Sequence, residues 1–539
     1  MVVTAHQLAT KVGIDVLQRG GNAVDAAVAI GYALAVVYPA AGNLGGGGFM
    51  TIQFADGRKT FLDFREKAPL AATPDMFLDG SGNVLKGAST EGYLAVGVPG
   101  TVAGLEYARE KYGTRPRATL IAPAISFAKR GFALDKGDVA LLSLATADFN
   151  GDAPTAAIFL DGGKPFKAGE RLVQKDLAQT LRLISQGGAD AFYQGPIADA
   201  IVASSAAGKG IITKADLQQY QVRELAPVEC DYRGYHIVSA PPPSSGGVVV
   251  CEILNILEGY PLKSLGFHSA QAAHYQIEAM RHAFVDRNSY LGDPDFVKNP
   301  LGRLLDKAYA AKVRAAINPA KPALSRDLKP GVAPHEGSNT THYSVVDNQG
   351  NAVSVTYTLN NLIGARVTAA NTGILLNDEM DDFTVKLGAP NMYGLVQGRA
   401  NAIAPGKRPL SSMSPTIVSR GGKPVMVIGA AGGSRIITVV VHCILNAIDY
   451  GMNIQEAIDA PRFHQQWLPE TTSVEALALS PEARKILIGM GHKLSDPQPA
   501  GRALGILVGA PVLGGAPRAN ERFYGAIDSR MGTGLAAGY

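Results

Sequence analysis

Hydrophobic and polar positions follow two rhythms along this chain of 539 residues, and the change comes near residue 340. Apolar positions between residues 5 and 38 recur at helical spacing, Gly20-Gly21-Asn22 marks a stop and restart, and Pro39 marks an end. A pair of helices is predicted there. The longest apolar runs are 26–37 and 436–448, the second interrupted by His442 and Asn446. Both are too short to span a bilayer and read as buried helices. Gly45 to Gly48 leads into a predicted strand at 51–54, followed by another at 60–64. Four glycines without a following Gly-Lys-Ser/Thr read first as a tight loop that lets backbones approach. Residues 100–330 read as mostly helical, with one strand at 235–239. Past residue 340 the period shortens to two, predicting strands at 343–347, 352–358, 416–419 and 425–428, then helices at 436–450 and 454–460.

Composition narrows the function classes. A prior of about 150 residues per domain would divide the chain into three or four. No linker, repeat or charge block separates such units, and 62 glycines and 32 prolines are spread throughout. One continuous α/β body with many tight connections is expected. A formal charge of +4 without a basic cluster interleaved with aromatics excludes nucleic acid and favours a small-molecule substrate. Cys230, Cys251 and Cys443 show no Cys-x-x-Cys spacing, and the ten histidines form no His-Glu-x-x-His set. Neither a metal nor a disulfide framework is expected. The opening residues lack a basic region followed by an apolar core, so they are no secretory leader.

The chemistry is concentrated in Asn339-Thr340-Thr341-His342-Tyr343-Ser344-Val345 and, eighteen residues after Thr340, in Thr358-Leu359-Asn360. Alone, the first run reads as an ordinary half-buried strand. A threonine hydroxyl is a weak nucleophile unless a base stands beside it, and its own α-amine can serve once the preceding peptide bond is cut. Such an amine titrates near about 7.7–8.0 and so is substantially neutral at ordinary pH.

This block resembles the self-cleavage site of the γ-glutamyltranspeptidases, members of the N-terminal nucleophile hydrolases. The resemblance continues in order through Gly373 to Phe383, Lys407 to Thr416 and Gly432-Gly433-Ser434-Arg435, covers nearly the whole chain, and is weakest from about 470 to 520. It implies an α/β fold of the four-layer αββα type, and a precursor cut between Asn339 and Thr340. A large subunit, 1–339, and a small subunit, 340–539, would then form one intertwined domain. It implies Thr340 as nucleophile, Thr358 beside it, and the N–H groups of Gly432 and Gly433 as an oxyanion hole. Arg65, Ser411 and Ser412 would hold a substrate α-carboxylate, Asn360, Glu379 and Asp382 would hold the α-ammonium opposite, and Tyr393 would lie on a lid loop. The implied substrates are glutathione and other γ-glutamyl compounds, with water, amino acids or dipeptides as acceptors, and no cofactor. The family's bacterial members are exported, so a periplasmic or secreted location with a removed leader is expected. Two departures stand out: Glu379 replaces a glutamine common in bacterial members, and Arg366, in a segment that is usually Gly-Thr-Gly, is expected close to the site. A related acylase on the same scaffold is the alternative reading.

Overall fold

The computed structural model describes residues 1–328 and 340–539. Its centre is two antiparallel sheets packed face to face. The first has seven strands in the order Leu535–Ala537, Val2–Thr4, Thr341–Val346, Ala352–Thr358, Gly47–Gln53, Lys59–Phe64 and Arg223–Leu225. The second has six: Phe523–Ile527, Arg502–Val508, Lys423–Ala431, Thr416–Arg420, Tyr235–Ser239 and Val228–Tyr232. Val3, Val346 and Ala352 of the first meet Val238, Ile417, Val427, Leu504 and Ile506 of the second in the layer between them.

Helices cover both outer faces. Ala23–Val37, buried at every residue, lies on the first sheet, where Ile30 and Leu34 share a core with Met50, Leu62, Tyr343 and Tyr357. Its start is fixed by a capping box, in which Asn22 accepts from Asp25 N–H and the Asp25 carboxylate accepts from Asn22 N–H. Gly246–Leu257, Ala270–Tyr290 and Ile436–Ile448 cover the second sheet. The result is the four-layer αββα sandwich that the motifs imply. It also explains why the strand after Thr340 is buried at all six positions rather than on one face. Tyr343 and Val345 point to the helices, while Val346 meets the second sheet. His342 also faces that sheet: a Cβ at Gly429 would lie 2.3 Å from its ring, so only glycine fits there.

The helix pair near the start, Gln7–Gln18 and Ala23–Val37, falls where the periodicity places it. Short edge strands escape such reading: Val228–Tyr232 alternates Val228, Cys230 and Tyr232 with Glu229 and Asp231, but over five residues only. The expectation that no cysteines pair is corrected. Cys230, in that edge strand, and Cys251, in Gly246–Leu257, form a disulfide across a sequence separation of 21, with Cα atoms 5.9 Å apart. Spacing could not show this, because strand, turn, strand and helix must fold back before the two sulfurs meet. Cys443 is buried and free.

Candidate active site

Thr340 stands immediately before the Thr341–Val346 strand, 7% exposed. Antiparallel pairing sets Thr341 against Tyr357, which brings Thr358 alongside it, and the two hydroxyl oxygens are 3.3 Å apart. Asn360 N–H donates to Thr358 Oγ1 at 2.8 Å, fixing that hydroxyl from the loop side. Asn360 itself has φ 76°, a left-handed conformation that asparagine tolerates better than bulkier residues. Its side chain donates to Asp378 O, while the Tyr393 hydroxyl lies 2.7 Å from Asn360 Oδ1 and 2.8 Å from the Asn360 carbonyl oxygen.

Arg65 emerges at the end of the Lys59–Phe64 strand, wholly buried. Nε donates to Pro409 O at 3.1 Å, Nη1 pairs with Glu379 Oε1 and Nη2 with Asp382 Oδ2, and Glu66 Oε2 is 3.5 Å from Nη1. The acidic pair therefore does not face Arg65 across a gap, as the sequence reading has it, but contacts it directly. A short turn, Glu379–Asp382, does the sorting. Asp381 turns away to accept from Ser89 Oγ and Met392 N–H, leaving Glu379 and Asp382 aimed at the guanidinium. Burial disfavours charge on Arg65, but Glu379, Asp382 and Glu66 outweigh it and hold the guanidinium charged. Burial likewise raises the three carboxyl groups, Glu66 to about 7, with Arg65 pulling the other way.

Ser411 and Ser412 are held from the helical half of the chain. Ser411 N–H donates to Pro243 O, and its carbonyl accepts from Ser245 N–H and Ser245 Oγ. Ser412 Oγ accepts from Arg287 Nη2 at 3.0 Å. Gly432 and Gly433 have φ of 148° and 57° and lead through the turn Gly433–Arg435 into the N-terminus of Ile436–Ile448. A side chain at Gly433 would also strike Tyr393, whose ring would lie 2.4 Å from its Cβ. Backbone N–H groups at such a helix start suit an anion.

Two cavities meet at Thr340. One, about 20 Å³, is lined by Arg65, Thr358, Asn360, Glu379, Asp382, Tyr393, Ser411, Ser412 and Gly433. The other, about 410 Å³, is reached past Gly432 and is bounded by Glu475, Gln498, Gly501, Arg502 and Arg530. Except for Asn339, which lies outside the described residues, every candidate residue therefore borders one of these two cavities. Arg366 is a correction: it lines neither, and instead pairs with Glu91 at 2.9 Å and Asp148 at 3.0 Å. Arg287 and Ser245 escaped the sequence reading, which takes residues 100–330 as scaffold. A lone arginine near the end of a long helix carries no local signal of its partner 125 positions later.

The chain is similar to known proteins along its whole length. A glutathione hydrolase proenzyme of Pseudomonas sp. (strain A14) is 71% identical over all of this chain and 94% of its own length. The Escherichia coli (strain K12) glutathione hydrolase proenzyme is 49% identical over 100% of this chain and 92% of its own. Among solved structures, a cephalosporin acylase from Bacillus halodurans superposes with a TM-score of 0.85 at 28% identity, covering 100% of this chain and 95% of that one. The γ-glutamyltranspeptidase family model matches residues 9–537, and the chain belongs to that family.

Proposed function

We propose that this chain is a γ-glutamyltransferase and glutathione hydrolase, made as a precursor that cuts itself before Thr340. The Thr340 hydroxyl attacks the Asn339 carbonyl, the acyl group shifts from nitrogen to oxygen, and water cleaves the resulting ester. The freed α-amine of Thr340 then takes the hydroxyl proton during attack on a γ-glutamyl amide. Charge developing on the carbonyl oxygen falls to the N–H groups of Gly432 and Gly433. The γ-glutamyl ester on Thr340 passes to water, an amino acid or a dipeptide.

The observation that carries this reading is a nucleophile at the mouth of a small pocket holding one arginine, two serines and the acidic pair Glu379 and Asp382. Those carboxyl groups are raised by burial, which is the condition of a site that gains from an added cation. In this reading the substrate's α-ammonium and α-carboxylate replace the Arg65 ion pairs with new ones. A glutaryl amide lacks the ammonium and leaves both acids unpartnered. We expect a preference of about 10⁴-fold in kcat/KM for γ-glutamyl-p-nitroanilide over glutaryl-p-nitroanilide. Comparable values would favour an acylase, the activity that the Bacillus halodurans structure is named for.

Self-cleavage is checked by denaturing electrophoresis of wild type and Thr340→Ala. Wild type should split into fragments ending at 339 and beginning at 340, and the variant should stay whole. We also propose a periplasmic or secreted location, supported by the Cys230–Cys251 disulfide, since such bonds persist in oxidising compartments. No described helix is long and apolar enough to cross a membrane. Cell fractionation tests the location.

A further inference from the structure

The charges around the small pocket are unevenly shared. Arg65 meets three carboxyl groups, of Glu66, Glu379 and Asp382. Arg287, 1% exposed, forms no ion pair among the described residues, and all four of its hydrogen bonds go to neutral oxygens. Nε donates to Ser245 Oγ at 2.9 Å, Nη1 to Asn288 Oδ1 at 2.8 Å and Gln397 Oε1 at 3.0 Å, and Nη2 to Ser412 Oγ at 3.0 Å. A buried cation without a contact ion pair is costly, and a further anion near it would offset that cost.

Its charge acts on Asp382 through space without an ion pair between them, and its neighbours are oriented so that it reaches the pocket by hydrogen bond only through Ser412. Ser245 gives its hydroxyl hydrogen to Ser411 O at 2.7 Å, and Gln397 gives its amide hydrogen to Asp382 O at 3.0 Å. Both can only accept from Arg287. The Ser412 hydroxyl also accepts from Arg287, and among the described residues that is the one hydrogen bond the hydroxyl makes. A hydroxyl has a single hydrogen, so the Ser412 hydrogen is left to donate into the cavity that Ser412 lines. A hydroxyl donor backed by a guanidinium selects an anion over a neutral or cationic group.

Resting on the γ-glutamyl reading of this site, we propose that Arg287 is a second specificity residue for the substrate's terminal carboxylate, acting through the Ser412 hydroxyl beside Arg65, which lines the same cavity. Arg287 touches no reacting atom and works by position. The ligand class is a five-carbon acyl donor with a carboxylate at the end remote from the scissile amide. The carboxylate requirement is thereby separate from the ammonium requirement set by Glu379 and Asp382.

Three p-nitroanilides divide the two requirements: γ-glutamyl with both groups, glutaryl with the carboxylate alone, and 4-aminobutyryl with the ammonium alone. In Arg287→Gln, kcat/KM for the γ-glutamyl and glutaryl substrates should fall about 100-fold or more, mainly through KM. That for 4-aminobutyryl should stay within about threefold, and Arg287→Lys should restore part of the loss. An even loss across all three substrates would mark Arg287 as structural and overturn the proposal. So would a wild type indifferent between γ-glutamyl and 4-aminobutyryl. If Arg287→Gln does not fold, Ser412→Ala carries the test: the same carboxylate-selective loss supports the relay, and an even loss refutes it. A wild type that prefers glutaryl to γ-glutamyl would discard the γ-glutamyl reading while leaving the Arg287 comparison intact.

Discussion

At the scale of single residues, Arg65 shows why a site is more than a set of charges. Its guanidinium is already engaged by Glu379 and Asp382, so in the proposed function removing it withdraws a substrate contact and also strands buried carboxyl groups. Arg65→Ala is expected to lower γ-glutamyl-p-nitroanilide turnover by the equivalent of about 2–5 kcal/mol. Self-cleavage involves no glutamyl group and should proceed. Stability should fall as well, because an unpaired buried charge is destabilising. Steady-state kinetics, gel analysis and a melting curve separate the three effects; unchanged kcat/KM would remove Arg65 from the site. The motif around residue 65 makes the arginine visible in the sequence, whereas Arg287, equally buried, was not visible. A side chain whose partners are Ser245, Gln397 and Ser412 has no pattern to show until the chain has folded.

At the scale of elements, long periodic segments are legible and short connecting ones are not. Ala352–Thr358 has the bounds its alternation predicts, and Ile436–Ile448 lies within its predicted run. The edge strand Val228–Tyr232 was missed, and with it the covalent tie to the helix Gly246–Leu257. That tie closes a loop with a sequence separation of 21, for which a chain-entropy account gives about 3 kcal/mol. Replacing both Cys230 and Cys251 by serine should lower the thermal midpoint and leave room-temperature turnover nearly unchanged. An equal midpoint in the variant, measured by calorimetry without reductant, would show that the bond adds no stability.

At the scale of the whole molecule, the two parts divided by position 340 are interleaved rather than adjacent. In the first sheet, Thr341–Val346 and Ala352–Thr358 lie between Val2–Thr4 and Gly47–Gln53, and in the second, Thr416–Arg420 pairs with Tyr235–Ser239. Cutting one bond breaks no ladder. The fragments are therefore expected to elute together in size-exclusion chromatography and to separate only under denaturing conditions. Elution as two species in plain buffer would contradict the interleaving.

The sequence by itself determined the family and singled out the Thr340 block and the candidate residues around it, because these are contiguous motifs whose order is written in the chain. It also determined the long helices and central strands, where burial imposes a period. Tertiary structure alone decided that Cys230 bonds Cys251, that Arg366 turns to Glu91 and Asp148, that Arg65 lies against the acids it was expected to oppose, and that Arg287 stands behind Ser412. Each of these is a meeting of side chains far apart in sequence, settled by how sheets and helices pack and by which buried charges find partners.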